Sequence, residues 1–269
     1  MKKFVLPALG VVGLGIVVLI VVLLKKPAEK PVTVTHKASD SLPINNIPVE
    51  SRPFVTFAPD ATGHYVTLTV DKMSQKVSTE YELVYNTSNN NEEGALGHFD
   101  FAAEQQPAVR KILLGTQSAG GAITFSEGVS GGSLTLTTDT MKVKEDFNFL
   151  HFDPKITKDQ DFPSVDGYFD VTIPAKSWKA DTVLIVMKTF GLPAPVPAGK
   201  LVAGPYTYQA GNLLKTAVPV SISLPAGSYQ NLTLYTWQNA AWVKVTDAKV
   251  SGSTLSATST GTIFIVTNE

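Results

Sequence analysis

The chain has 269 residues, of which 17% are charged and 43% are hydrophobic, and its net charge at pH 7 is -1. Charged residues are thus scarcer than the roughly 25% that is usual in soluble domains. A net charge near zero gives no reason to expect a nucleic-acid partner. The absence of cysteine excludes a disulfide framework, a cysteine-based zinc site, a cysteine nucleophile and a lipid-modified N-terminal cysteine.

The first predicted element is a membrane-spanning helix. An uncharged run of 21 residues, Phe4 to Leu24, lies between two pairs of lysines. As a helix it would be about 31 Å long, which matches the hydrocarbon thickness of a bilayer. The run is longer than the apolar region of a cleaved signal peptide. The alternative, a cleaved signal peptide, would also require an unusual cleavage site. We therefore predict an uncleaved signal anchor over residues 1–26, with residues 4–24 in the lipid bilayer.

The orientation of this anchor follows from two opposing signals. Lysines are more numerous after the run than before it, and this count alone would leave the large part of the chain in the cytoplasm. A charged start before an apolar run is typical of an export signal, and long domains are translocated largely regardless of charge. We predict a single-pass protein of the cell membrane with the bulk of the chain extracytoplasmic.

Residues 27–50 form the second predicted element, a stalk. They contain four prolines and few large apolar side chains. Such a composition cannot form a core, and proline keeps the chain stiff and extended. At about 3.1 Å per residue, the stalk could hold the folded part up to roughly 70 Å from the bilayer.

From residue 51 onward, apolar residues recur with a period of two. His64–Val70, Glu80–Tyr85 and Gly167–Ile173 alternate in this way, which predicts strands with one buried face. Thr182–Met187 is apolar on both faces and is predicted to be a central, covered strand. Only Ala102–Arg110 offers a short helical turn. Many short strands without helices between them indicate β-sandwiches.

A proline-rich stretch, Gly191–Gly199, interrupts the alternation and predicts a domain boundary. The predicted fold class is therefore all-β, with an N-terminal transmembrane helix followed by two β-sandwich domains. The first would span residues 51–192 and the second, smaller one residues 200–269. In the smaller domain, alternate residues from Val218 to Leu224 are predicted to face inward.

The C-terminal unit contains Gly204-Pro205-Tyr206-Thr207-Tyr208, a Leu-Tyr-x-Trp segment followed by Trp-Val-Lys-Val, and a closing Gly261-Thr-Ile-Phe-Ile. In these features it resembles the Ig-like modules found at the ends of bacterial surface proteins. The resemblance covers about a quarter of the chain. It implies an Ig-like sandwich with a structural or adhesive role, and it assigns no functional residues.

A hairpin in this unit carries the candidate binding residues. If the turn lies around residues 238–241, Trp237 pairs with Trp242 and Tyr235 pairs with Lys244. Tyr235, Trp237 and Trp242 then share one outer face, where they could stack on a sugar ring or anchor a protein partner. The opposite, inward face would hold Leu234, Thr236, Val243 and Val245. The alternative is that the aromatic pairs only stabilise the hairpin, or that the first domain covers them.

Two groups of residues are candidate metal ligands. His-Phe-Asp occurs at His98–Asp100 and again at His151–Asp153, but the sequence does not show that the two strands meet. Asp159, Asp161 and Asp166 suggest a calcium loop, although their spacing departs from the EF-hand pattern. We predict no metal site and no cofactor, and leave open whether these three aspartates bind calcium.

A Gly-x-Ser-x-Gly pattern spans residues 128–132, with Ser130 at its centre. In a hydrolase this pattern lies between a strand and a helix, whereas the residues after Ser130 alternate like a strand. We therefore predict a glycine-rich hairpin loop here and propose no catalytic residues. An envelope hydrolase is the rival function of another class, and the lack of a convincing nucleophile–base pair disfavours it. The expected function is a structural or adhesive role in the cell envelope, with a cell-wall glycan or an envelope protein as partner. The alternative is a carbohydrate-binding module that uses the aromatic hairpin face.

Overall fold

All regular structure described here is β-strand, apart from one turn of 3₁₀ helix at Val49–Ser51. The computed structural model describes residues 41–269 except 89–90, 154, 156, 176–181 and 213–216. The predicted anchor, residues 4–24, and most of the predicted stalk lie outside the described residues. Within the described ranges, no helix has the length and apolar character needed to cross a bilayer.

The described residues form the following strands, in chain order: β1 (Phe54–Pro59), β2 (Tyr65–Asp71), β3 (Ser78–Asn86), β4 (Glu92–Asp100), β5 (Ala108–Leu113), β6 (Gly115–Gln117), β7 (Ile123–Phe125), β8 (Gly131–Thr137), β9 (Lys142–His151), β10 (Gln160–Pro163), β11 (Phe169–Ile173), β12 (Val183–Lys188), β13 (Lys200–Ala210), β14 (Val218–Ser223), β15 (Leu232–Gln238), β16 (Ala241–Lys244), β17 (Lys249–Ser251), β18 (Thr254–Ser259) and β19 (Ile263–Asn268). Every strand pair among them is antiparallel.

One long sheet runs through the described part of the chain. Its nine strands have the order β16-β15-β19-β13-β12-β9-β8-β3-β4. A three-stranded sheet, β1-β2-β5, and a five-stranded sheet, β10-β11-β14-β18-β17, are separate from it, and β6 and β7 form a small hairpin. The predicted all-β, sandwich-like architecture is confirmed, and it agrees with the fold that the Ig-like resemblance implies.

The central strand β12 explains how the three large sheets are layered. Val183, Ile185 and Met187 belong to the core that includes residues of β1, β2 and β5. Leu184 and Val186 belong to a second core, which includes residues of β11, β14 and β18. Because successive side chains of a strand point to opposite faces, the two smaller sheets cover opposite faces of the nine-stranded sheet. The prediction that this segment is a central, covered strand is confirmed.

The chain before β1 is packed against the nine-stranded sheet. We call residues 44–52 the strap. The N–H of Asn45 donates to the carbonyl of Lys142 over 2.9 Å. The side-chain amide of Asn45 donates to the Lys144 carbonyl over 2.8 Å, and it accepts from the Lys144 N–H over 3.0 Å. Ile47 packs against the first core. The end of the predicted stalk is thus docked on β9.

Other sequence predictions can be compared with this fold. The alternating segments around β2, β3 and β11 form strands with buried alternate residues, as predicted. The inward-facing residues of β14 are also buried as predicted. The stretch Ala102–Arg110 contains a hydrogen-bonded turn and then the first residues of β5, without an α-helix. Strands β12 and β13, on either side of the predicted domain boundary, are neighbours in one sheet. The division into two domains stays a prediction.

Candidate functional site

The aromatic hairpin, β15 with β16, has the predicted pairing. Trp237 is opposite Trp242, and Tyr235 is opposite Lys244. The turn consists of Asn239 and Ala240 alone, with φ angles of +51° and +60°. Positive φ at both central residues is the signature of a type I′ turn, whose twist matches that of the flanking strands.

Tyr235 is buried at the base of this hairpin, with 8% of its surface exposed. It forms a third apolar cluster with Leu192 and Ile265. Its hydroxyl donates to a carboxylate oxygen of Glu269 over 2.6 Å. This hydrogen bond to Glu269 raises the pKa of Tyr235. The Tyr235 ring is therefore packed inside the protein, so at this position the predicted outer face of the hairpin is covered by other parts of the chain.

Trp237 and Trp242 are both half-buried and contact each other edge to face. Their ring centroids are 5.2 Å apart and their planes differ by 70°. The indole N–H of Trp242 donates to the carbonyl of Ala194 over 3.2 Å. Because the two rings are tilted, they do not form a flat platform for a sugar. Trp237 is the member of the predicted trio whose ring has no hydrogen bond to the rest of the described chain.

The inward face of the hairpin is only partly as predicted. Leu234 and Thr236 are buried, and Val245 packs against the second core. Val243 is opposite Thr236 as predicted, but it is 42% exposed, so it lies on the inward face without being buried. Strand β16 is the last strand of the nine-stranded sheet, so Val243 has a neighbouring strand on one side only.

A groove lies beside the covered side of the hairpin, and it has a volume of about 540 Å³. Leu192, Val196 and Leu201 line it and also belong to the cluster that contains Tyr235 and Trp242. The groove is otherwise lined by Glu50, Lys72, Ala194, Pro195, Gly199 and Lys200. The ammonium of Lys72 donates to the carbonyl of Pro193. The groove therefore combines apolar walls with charged groups at its rim.

A charged cluster occupies a different place, where the strap meets β9. Arg52 donates from Nη1 to Glu145 over 3.2 Å, and both side chains are largely buried. Two other guanidinium nitrogens of Arg52 donate to the carbonyls of Ile47 and Asn45. Burial raises the pKa of Glu145 to about 7, against the attraction of Lys188 and Arg52. The strap is thus held by an ion pair that includes a carboxyl group with a near-neutral pKa.

Asp166 lies near this cluster, beside a cavity of about 210 Å³. One of its carboxylate oxygens is 3.0 Å from the Tyr206 hydroxyl and 3.3 Å from the ammonium of Lys188. Burial alone would raise the pKa of Asp166. Hydrogen bonds from Ser164 and Tyr168 and the charge of Lys188 outweigh it, so the pKa of Asp166 is lowered. Burial, with Asp166 nearby, raises the pKa of Tyr206.

The three aspartates of the candidate calcium loop have separate partners. Asp166 is bonded as described above, Asp161 accepts from the Thr172 hydroxyl, and Asp159 accepts from the N–H of Ala175. Among the described residues, no three His, Cys, Asp or Glu side chains converge as metal ligands.

The remaining candidate motifs, the His-Phe-Asp pair and the Gly-x-Ser-x-Gly pattern, lack the geometry that a site would need. His98 lies on β4 and His151 on β9, with β8 and β3 between these strands. At a strand spacing of about 4.8 Å, the two His-Phe-Asp motifs do not share a site. Ser130 is followed directly by β8. The strand–turn–helix geometry of a nucleophile elbow is therefore not present at Ser130.

Comparison with known proteins gives no relative on which to base a function. No protein-family model, no curated protein and no solved structure matches this chain. The candidate sites therefore depend on their geometry alone.

The charged cluster at the strap was not predicted from the sequence. One signal for it exists: Glu145 falls among Val143, Phe147 and Phe149, all at buried alternate positions of β9. A carboxylate at an inward position of a strand needs a partner. Its partner Arg52 is 93 positions away in the sequence, and no local pattern connects the two.

Proposed function

We propose that the protein is a single-pass, membrane-anchored component of the cell envelope, with a structural or adhesive role and with its β-sandwich part outside the cytoplasm. The apolar run at residues 4–24 supports an anchor in the lipid bilayer. The sandwich-like sheets support a scaffold whose partner is a cell-wall glycan or an envelope protein.

The docked strap is the observation that carries this proposal. In a chain held at its N-terminal side, a pulling force reaches the folded part first at residues 44–52. The strap is joined there to β9 by the hydrogen bonds of Asn45 and by the ion pair of Arg52 with Glu145, while Arg52 also bonds to the carbonyls of Asn45 and Ile47 within the strap. Strand β9 itself is paired on both sides, with β8 and with β12. A joint of this kind is suited to a protein that bears load between a membrane and a partner.

Protease treatment of intact cells that carry a C-terminally tagged copy tests the location. We expect the tag to be lost from unbroken cells, with the outer membrane permeabilised first in a host that has one. A cytoplasmic tagged protein of similar size should remain intact in the same cells. Protection of the tag until the inner membrane is broken would contradict the proposal, since the folded part would then be cytoplasmic.

A second candidate function is carbohydrate binding at the hairpin. The half-buried ring of Trp237, which has no hydrogen bond to the rest of the described chain, favours it, because sugar rings stack on aromatic faces. The chain has three tryptophans, at positions 178, 237 and 242. In a Trp178→Phe background, titration with soluble cell-wall glycans should quench or shift the remaining fluorescence. Trp237→Ala should abolish that change, whereas Tyr168→Ala, an exposed aromatic residue elsewhere, should not. An unchanged titration in the Trp237→Ala variant would exclude this candidate.

A further inference from the structure

Strand β4 is an unusually long sheet edge. It is the last strand of the nine-stranded sheet, it has nine residues, and its ladder is formed with β3 alone. The other edge strands of the described sheets have three to six residues. Natural sheets usually keep their edges short, because an edge presents unpaired N–H and C=O groups to other chains.

The direction of the main-chain groups of β4 follows from the bonds just beyond its ends. The carbonyl of Asn91 accepts from the N–H of Thr87, and the N–H of Phe101 donates to the carbonyl of Val77. Thr87 and Val77 flank β3, so the odd-numbered residues of β4 direct their N–H and C=O groups toward β3. In an antiparallel ladder the N–H and C=O of one residue point to the same side, and successive residues alternate. The even-numbered residues of β4 therefore direct their N–H and C=O groups to the open edge.

The C-terminal half of this edge is closed by side chains. Arg110 donates from two guanidinium nitrogens to the carbonyl of His98, over 3.2 and 3.0 Å. The N–H of Asp100 donates to a carboxylate oxygen of Glu104 over 2.8 Å. Arg110 and Glu104 are themselves an ion pair. This pair occupies the edge groups that an added strand would need.

The N-terminal half of the edge has no such protection in the described part of the chain. The outward groups of Glu92, Gly94 and Leu96 have no bond among the described residues. Gly94 adds no side chain, and Leu96 is 78% exposed. We call residues 92–96 the open edge. A neighbouring strand can reach its backbone without displacing any side-chain bond.

The surroundings of the open edge are acidic. Glu80, Glu82 and Glu92 are exposed, and Glu93 lies on the other face of β4. None of these four carboxylates is in an ion pair within the described residues. Because these carboxylates surround the open edge, the open edge of a second copy of the chain would be repelled from it. An extended segment with alternate Lys or Arg residues has the complementary charge.

We propose that the open edge, residues 92–96, is a docking site for an extended, basic peptide segment of a partner protein, which adds as an antiparallel strand beside β4. Main-chain hydrogen bonds to Glu92, Gly94 and Leu96 provide the pairing. The basic side chains of the added strand lie near Glu82 and Glu92 and select it over neutral or acidic segments. The proposal goes beyond an envelope role because it names the chemistry of the partner. It does not depend on whether the folded part lies outside the cytoplasm or inside it.

Fluorescence anisotropy of a labelled peptide tests the proposal with the full-length chain in detergent micelles. The probe is Lys-Thr-Val-Thr-Val-Thr-Lys with blocked ends. Two control peptides carry Glu in place of both Lys residues, or N-methyl groups at alternate positions, which remove backbone donors. We expect the Lys peptide to bind at least about tenfold more tightly than either control, and to bind more weakly at high salt. Equal binding of the N-methylated peptide, or no binding of the Lys peptide, would overturn the proposal.

Substitutions at Leu96 test the location. Leu96→Pro removes an outward N–H and leaves the bonds to β3 intact, so the fold is retained, as a thermal melt can verify. Peptide affinity should fall at least about tenfold with Leu96→Pro and stay unchanged with the matched control Leu96→Thr. Unchanged affinity in a folded Leu96→Pro protein would place the binding elsewhere and overturn the proposal.

A charge reversal tests the selection of basic segments and does not depend on proline being tolerated. Both Glu82 and Glu92 have exposed side chains. The double variant Glu82→Lys with Glu92→Lys should prefer the Glu peptide over the Lys peptide. Retention of the original preference would contradict the electrostatic part of the proposal. None of these measurements involves the membrane, so they can fail or succeed independently of the protease experiment on intact cells.

Discussion

At the scale of single residues, two neighbouring tyrosines of β13 should respond in opposite ways to loss of the hydroxyl. The Tyr208 hydroxyl is buried without a hydrogen-bond partner among the described residues, and burial raises the pKa of Tyr208. The Tyr206 hydroxyl donates to Asp166 over 3.0 Å. Tyr208→Phe should therefore raise the free energy of unfolding by about 1 kcal/mol, and Tyr206→Phe should lower it by a similar amount. Chemical denaturation of both variants checks this pair, and a loss of stability in Tyr208→Phe would show that the hydroxyl is solvated or bonded.

Glu145 gives a second prediction at this scale, on pH dependence. Burial raises its pKa from 4.5 to about 7 in the folded protein. The folded state then binds this proton more tightly than the unfolded state, so the resulting stability is complete below pH 4.5 and is lost as the pH rises through 7. Between about pH 5 and about pH 8, the wild type should lose about 2–3 kcal/mol relative to Glu145→Gln, whose amide oxygen still accepts from Arg52.

Denaturation of the wild type and the Glu145→Gln variant across this pH range measures the difference. Glu127→Gln, at an exposed site, serves as the matched control and should follow the wild type. Parallel pH profiles for the wild type and Glu145→Gln would mean that the ion pair with Arg52 outweighs the burial of the carboxyl group.

At the scale of the element, the turn of the aromatic hairpin is not optimal. Ala240 has a φ of +60°, where a side chain costs about 1 kcal/mol that glycine avoids. Ala240→Gly creates the Asn-Gly sequence that type I′ turns prefer, and should raise the free energy of unfolding by about 0.5–1 kcal/mol. The control Ala241→Gly, one position into β16, should lower it. A thermal melt of both variants is the measurement, and a destabilised Ala240→Gly protein would contradict the turn assignment.

The elements also show how much of this structure the sequence could predict. The pairing of Trp237 with Trp242 was predictable, because a hairpin register follows from the position of its turn. The covered strand β12 was predictable from its continuous apolar run. The burial of Tyr235 was not predictable, since it depends on Leu192, which lies 43 positions earlier in the chain. The same applies to the closed half of the β4 edge, where Arg110 comes from another sheet.

At the scale of the whole molecule, strand β12 joins two cores. Ile185 lies in the core beneath the three-stranded sheet, and Val186 lies in the core beneath the five-stranded sheet. The strands on either side, β9 and β13, continue the same ladder without interruption. Loss of packing on one face of β12 therefore loosens a strand that the other core also needs.

We therefore expect the described part of the molecule to unfold in a single transition, although the sequence predicts two domains. Ile185→Ala should lower the free energy of unfolding by about 2–5 kcal/mol, and Val186→Ala by somewhat less, because each leaves a cavity. Both variants should shift the same calorimetric transition, whereas Leu96→Ala, at an exposed site, should leave it in place. Two transitions, with each variant shifting only one of them, would instead show that residues 51–192 and 200–269 unfold as independent domains.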